Sequence, residues 1–321
     1  MANSDNNDTA PFTVERLPEN PVIHPGMTPS PGTNINGPSV IAVPDWVTHR
    51  LGRFYMYFAD HRGDHIKLAF ADHPAGPWTL HAPGVLHVSA SGFPADARLL
   101  DPPEADRDAV ASGDLRPHIA SPDVHVDAAR REIVMYFHGL EADCRQTTRR
   151  ATSGDGLSFG ASTPVCAIPY VRVFDHDGGM FAATFAGYLG ASPDGGMTFP
   201  EGAAFGERRT RHVAVLRHDG RLYLVFSRIG DCPERLLIAR IVTGGNWRDW
   251  RLTPPQVLLG PETAWEGAHA PLVPSRMGPA DTPVNQLRDP CILADAGALW
   301  LYYSVAGERG IAVARLHPAP R

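Results

Sequence analysis

Cysteine is scarce in this chain, four among 321 residues, and Cys144, Cys166, Cys232 and Cys291 stand far apart with no Cys-x-x-Cys pair. That spacing argues against a zinc ribbon or a redox dithiol and predicts free thiols in a reducing compartment. Clustered basic residues are also missing, and the formal net charge is −6. Phosphate binding needs such clusters, so no nucleic-acid partner is expected. No run of 18 apolar residues is present, so no helix is expected to enter a membrane. The start, Met1-Ala-Asn-Ser-Asp-Asn-Asn-Asp8, has neither the positive segment nor the apolar core of a secretory signal. A soluble, cytoplasmic protein is therefore expected. Long amphipathic helical patterns are absent as well, which leaves an all-β chain.

What the chain does have is a recurring seven-residue beat, with a small or polar opener, alternating apolar positions and an aromatic close. The copies are Gly52-Arg-Phe-Tyr-Met-Tyr-Phe58, Arg131-Glu-Ile-Val-Met-Tyr-Phe137, Gly179-Met-Phe-Ala-Ala-Thr-Phe185, Gly220-Arg-Leu-Tyr-Leu-Val-Phe226 and Gly297-Ala-Leu-Trp-Leu-Tyr-Tyr303. Each follows a short apolar strand and a turn, and most precede another strand-like run. Repeated antiparallel sheets of this kind predict a five-bladed β-propeller. Glycine and proline, 31 each, suit many short strands joined by tight turns, and a hydrophobic fraction of 43% supplies a core.

Residues 1–10 are polar and read as a disordered tail. Residues 11–321 read as one propeller domain with blades at roughly 34–80, 118–165, 168–200, 208–260 and 286–316. The last blade is short of an outer strand. Phe12-Thr-Val-Glu-Arg-Leu17 alternates outside the repeats, and is expected to complete that blade and close the ring. Ser153-Gly-Asp-Gly-Leu-Ser-Phe159 and Ser192-Pro-Asp-Gly-Gly-Met-Thr-Phe199 read as Ser-x-Asp-x-Gly turns that pin outer hairpins. Two insertions, 81–117 and 254–285, are long enough to carry function and should rise over one face of the ring.

Inner-strand starts converge on the axis of a propeller. Here they bring Asn34 and Asn36, Asp123 and His125, Tyr170 and Arg172, Arg211 and His212, and Arg288 and Asp289. Buried charge is costly unless paired, so this many polar groups on one axis exceeds what solvation requires and predicts a ligand site. If second strands return toward the same end, Asp60, His61, His138 and Arg228 flank it. Fifteen histidines, several near predicted inner ends, leave room for a structural cation in the funnel, although no pair has a metal-ligand spacing. No other cofactor is expected.

These segments resemble the five-bladed glycoside hydrolases, families 43, 32, 68, 117 and 130 and their relatives. Leu287-Arg-Asp-Pro-Cys-Ile292 is similar to their Arg-Asp-Pro motif, and Ala120-Ser-Pro-Asp-Val-His125 to the segment that carries a blade-two carboxylate. Asn34-Ile-Asn-Gly-Pro-Ser39 occupies the place of a blade-one Asn-Asp-Pro or Asn-Gly, and Gly76-Pro-Trp78 is a turn frequent in the superfamily. The resemblance implies a carbohydrate substrate, and three catalytic carboxylates, from blades one, two and three. The chain departs from that plan: blade one begins with Asn, and blade three with Tyr170-Val-Arg172, without a Glu.

Asp123 and Asp289, at inner-strand starts, and Glu266, in the second insertion, form the expected acid–base set for glycoside hydrolysis. Asn34, Asn36, Asp60, His61, His125, His138, Tyr170, Arg172, Arg211, His212 and Arg288 are the expected substrate contacts. Trp265 is a candidate sugar platform, while Tyr55 and Trp78 read as core. Two other readings stand beside hydrolysis. One is a lyase on a uronate-containing sugar, with Arg172, Arg211 and Arg288 holding the carboxylate and Tyr170 or His212 removing a proton. The other is a non-catalytic propeller that binds a sugar or a protein.

Overall fold

The computed structural model describes residues 10–319 apart from 161, 167 and 201. The tail expected over 1–10 therefore lies, except for Ala10, outside the described residues. The first strand, β1 (Phe12–Arg16), precedes the repeats. The first blade is β2 (Asn36–Ala42), β3 (Phe54–Ala59), β4 (His65–Ala71) and β5 (Thr79–His87). The second is β6 (Ile119–Asp127), β7 (Glu132–Leu140), β8 (Gln146–Ser153) and β9 (Thr163–Cys166). The third is β10 (Arg172–His176), β11 (Gly179–Ala183), β12 (Tyr188–Ser192) and β13 (Gly202–Ala204). In the fourth, β14 (Thr210–His218), β15 (Arg221–Arg228) and β16 (Leu236–Val242) are edged by β17 (Arg251–Leu252) and β18 (Gln256–Leu259). The fifth is β19 (Arg288–Asp295), β20 (Ala298–Ser304) and β21 (Ile311–Pro318).

These five antiparallel sheets form the five-bladed β-propeller that the beat predicts, and every beat contributes its blade's second strand. The fifth blade takes its outer strand from the other end of the chain: β1 pairs antiparallel with β21, Val14 opposite Leu316. Ring closure by the N-terminal strand removes the exposed edge that β21 would otherwise present.

The beat's alternation explains the ring. Successive strand residues point to opposite faces, so each second strand feeds two inter-blade cores. Tyr55 and Tyr57 pack with Ile133, Met135 and Phe137 of the second blade. Their neighbours Phe54, Met56 and Phe58 pack with Trp300, Tyr302 and Val313 of the fifth. Burying such a side chain contributes roughly 1.5–3 kcal/mol, and all five are fully enclosed. The two Ser-x-Asp-x-Gly turns add polar pins. Ser153 Oγ accepts from the Gly156 amide at 2.8 Å, and Tyr57 of the first blade donates to the Gly156 carbonyl at 3.0 Å. Tyr136 of the second blade donates in the same way to Gly196 of the third, at 2.8 Å.

β5 runs on to His87, so the first insertion spans 88–118, later than expected; it holds only short helical turns and one six-residue helix, α1 (Arg107–Ser112). Phe93 anchors this insertion against Phe137, with ring centroids 5.9 Å apart. Both insertions join an outer strand to the next inner strand, so topology places them on the face where inner strands begin. All four cysteines are free thiols.

Candidate functional site

Inner strands share a local irregularity at that face. β2, β6, β14 and β19 each carry a bulge, with two residues opposite one on the second strand. The residue inside the bulge has positive φ at Gly37 (62°), Ser121 (50°) and Asp289 (50°), and Tyr170 (59°) takes the same conformation just before β10. Proline follows in Gly37-Pro38, Ser121-Pro122 and Asp289-Pro290, which fixes the strand's re-entry. Bulges re-aim side chains, and here they turn a polar residue toward the axis. Gly37 holds the position equivalent to Asp289. A Cβ at Gly37 would lie 3.2 Å from Cα of Ser121. The missing blade-one carboxylate is thus a matter of space as well as of sequence.

Above the bulges lies a buried charged network. Asn36 Nδ2 donates to Asn34 Oδ1 at 2.7 Å, the His61 amide donates to the same oxygen at 2.8 Å, and Asn34 Nδ2 donates to Glu308 Oε2 at 2.6 Å. Arg288 Nη1 donates to Glu308 Oε1 at 2.7 Å, and His61 Nδ1 is 3.6 Å from that oxygen. Arg288 Nε and Arg211 Nη1 share Glu234 Oε2 at 3.1 and 3.0 Å, while Ser227 Oγ donates to Glu234 Oε1 at 2.7 Å. Arg211 also donates to the carbonyls of Arg276 and Gly278, holding the second insertion over this end. Burial would raise the Glu308 carboxyl, but His61, Arg288 and Asn34 hold it well below the usual range. Burial would lower the Arg288 guanidinium, and Glu234 and Glu308 raise it instead.

Glu234 and Glu308, both fully buried, were not among the residues singled out from sequence. They sit in the turns from second to third strand of blades four and five, the same turn that drew attention to Asp60 and His61 in blade one. Applying that positional argument to every blade would have found them.

Beside the network three rings meet at tilted angles. The Tyr170 ring lies 4.1 Å from His138 and 4.8 Å from His212, centroid to centroid. His118 meets His138 edge-on at 5.7 Å. His212 Nδ1 contacts Asp289 Oδ1, and Ser304 Oγ donates to Asp289 Oδ2 at 2.8 Å. Burial alone would raise Asp289, but the bonds from His212 and Ser304 bring it below the usual carboxylate value. Burial lowers His212, and lowers His138 much further, with His118 adding to the effect. His118 is pushed down to about 4 by burial. Burial raises the Tyr170 phenol, which stays protonated. At neutral pH the couple is an ionised Asp289 in contact with Nδ1 of a neutral His212, whose Nε2 is left as a base. Neither ring nitrogen of His138 has a hydrogen-bond partner among the described residues, and the side chain is 1% exposed.

Other expected residues lie elsewhere. Asp123, His125 and Arg172 sit below the bulges, lining the part of the axial channel that opens on the opposite face. Asp60 caps its own turn, accepting from the Arg62 amide at 2.9 Å. Glu266 was expected to reach over the funnel, and it does not. Its Oε1 accepts from Arg16 Nε of β1 and from the Tyr303 hydroxyl, and its Oε2 from the Glu262 and Thr263 amides. Those bonds fix it against the outermost strand of the fifth blade, with no exposure. Trp265 packs on the core between blades four and five, and Tyr55 and Trp78 are buried. Among the described residues no three His, Cys, Asp or Glu are arranged to hold a metal ion.

The fold is that of the family-43 glycoside hydrolases. The chain superposes with a TM-score of 0.58 on a β-xylosidase/α-arabinofuranosidase from a compost microbial metagenome, solved with xylotriose, at 12% identity, covering 95% of this chain and 96% of that one. A family-43 enzyme of Xanthomonas citri with xylotriose gives 0.55 at 12% identity, covering 90% and 88%. The exo-β-1,3-galactanase of Phanerochaete chrysosporium with β-1,3-galactotriose gives 0.54 at 12% identity, covering 97% of this chain and 65% of that enzyme's length. At such distances the likeness defines architecture alone. No family model matches the sequence. The chain is 35% identical, over a 338-residue alignment covering 96% of it and 92% of the relative, to an uncharacterized protein of Acanthamoeba polyphaga mimivirus, and it belongs to that protein's family.

Proposed function

We propose that this protein hydrolyses a glycosidic bond of a small glycan at the polar end of the propeller axis, with Tyr170, His212 and Asp289 as its reacting set. The observation that carries the reading is the Asp289–His212 contact beside the Tyr170 ring, on a backbone turned by the inner-strand bulges. His212 Nε2 takes a proton from water as its oxygen bonds to the anomeric carbon. The Tyr170 phenol protonates the departing glycosidic oxygen as the C–O bond breaks, and the proton on His212 then returns to Tyr170. Asp289 holds the tautomer and stabilises the imidazolium, a role that general-base histidines require. Asn34 and His61, half-buried at the rim, supply hydrogen bonds for sugar hydroxyls. The structural neighbours were solved with xylotriose and galactotriose, which supports a short neutral oligosaccharide as substrate class.

This set replaces the three-carboxylate scheme. Asp123 and Asp289 both lie below the ordinary carboxylate value, despite burial, through His125 and His212 respectively, and neither stores a proton near neutral pH. Glu266 has both oxygens engaged away from the axis. The uronate-lyase reading asks three arginines to hold the carboxylate, but Arg211 and Arg288 are committed to Glu234 and Glu308, which leaves Arg172 alone for that role.

The test is a panel of aryl glycosides and xylo- and galacto-oligosaccharides. Wild type should cleave at least one member, and His212→Ala and Tyr170→Phe should each lower kcat/KM by about 10²–10³. A wild type that binds sugars from the panel and cleaves none would make the protein a binding propeller instead.

A further inference from the structure

At the open end of the same axis is a cavity of about 610 Å³, walled by the inner strands of all five blades. That volume falls within the usual range of small-molecule sites. Its wall is aliphatic, with Ile41, Val124, Val173, Val215 and Ile292 drawn from the five strands. Its inner end is charged, with the Arg172 guanidinium beside the Asp123 carboxylate. Asp123 Oδ2 already accepts from His125 Nε2 at 2.8 Å and from the Val173 amide at 2.7 Å. Arg172, 7% exposed, reaches the carbonyls of Val171 and Ser121 at 3.1 and 3.5 Å, and its nearest carboxylate oxygen, on Asp123, is 3.9 Å away. Arg211 and Arg288, by contrast, each hold a carboxylate at 3.1 Å or closer. A guanidinium has five donors in a planar fork, and a buried one gains most from a bidentate carboxylate. Ser39 Oγ, which lines the same end, accepts from the Val124 amide at 2.8 Å and keeps its proton to donate. The inner end therefore offers the Arg172 and Ser39 donors, with Asp123 Oδ1 3.9 Å from the guanidinium, and the wall offers apolar surface.

We propose that this end of the axial channel binds a small aliphatic carboxylate, its head on Arg172 and its chain along the Val–Ile wall. Arg172 also acts electrostatically on His138 and His212 of the polar end, so the test reads binding rather than turnover. Hexanoate titrated into the full chain by calorimetry should bind saturably at one site per chain, and hexylamine, of equal length and opposite charge, should not. Arg172→Gln should weaken hexanoate by about tenfold or more, as loss of a charge-assisted contact requires. Val215→Phe, which fills the channel and leaves the polar end untouched, should weaken it similarly; it carries the test alone should Arg172→Gln fail to fold. No saturable hexanoate binding, equal binding of hexylamine, or hexanoate affinity unchanged in folded Val215→Phe would each overturn the proposal.

Discussion

The two ends of the propeller axis are built by the same five strands and differ in almost every physical respect. At the polar end, above the bulges, charges are buried and paired: two glutamates and two arginines bond one another and the overlying insertion, with His61 3.6 Å from Glu308. At the open end, below the bulges, the wall is aliphatic and one buried arginine lacks a close carboxylate. The bulge marks the boundary, because one extra residue re-aims the side chains that follow. A propeller can thus give the two ends of its axis different chemistry by a single irregularity repeated around the ring.

The largest effect should come from breaking the matched charges. Glu234→Ala leaves Arg211 and Arg288 without a shared buried partner and should cost about 3–5 kcal/mol in urea unfolding. Asp45→Asn, at the exposed mouth of the open end, should change stability by less than about 0.5 kcal/mol. Comparable losses from both would erase the contrast between the ends.

A pH titration of stability sharpens it. His118 is lowered to about 4 by burial, and His138 and His212 are also lowered by burial. Between those folded values and the unfolded value near 6.5 the unfolded chain binds more protons, so stability should fall as pH drops from about 6.5 to 4. His118 alone accounts for about 3 kcal/mol of that window. Asp289 and Glu308 are lowered instead, so their contribution is lost only below about pH 4. His118→Asn should reduce the fall in the upper window in urea unfolding at stepped pH, leaving the share of His138 and His212, and should leave the lower one unchanged.

Gly37→Asp, which places a carboxylate in blade one, should destabilise by about 1–2 kcal/mol, because φ is 62° and the new Cβ meets Ser121. It should add no cleavage activity. Tyr57→Phe should cost about 1 kcal/mol in thermal unfolding, through the lost bond to the Gly156 carbonyl, and should affect neither end.

The architecture was legible because its determinants are local. Alternation in Phe54–Phe58 or Leu299–Tyr303 is read directly from sequence, and it is the same alternation that fills two cores. The closing role of Phe12–Arg16 followed from a strand missing in the last blade. Polar inner-strand starts were also legible, but their division between two ends was not, since Asp123 and Asp289 look alike until the bulges fix their height. Glu234 and Arg288, 54 residues apart, meet across adjacent blades, and Asn34 and Glu308, 274 apart, meet only because the ring closes. Glu266 misled because an acidic residue in a long loop gives no sign that Arg16, 250 residues away, will claim it.

The central claim is that chemistry belongs to the polar end, and one comparison tests it most directly: kcat/KM for the best oligosaccharide in Tyr170→Phe against Val215→Phe, both shown to be folded. The account predicts a loss of about 10² or more in the first and less than about threefold in the second. Full activity in Tyr170→Phe, or an equal loss in Val215→Phe, would contradict it.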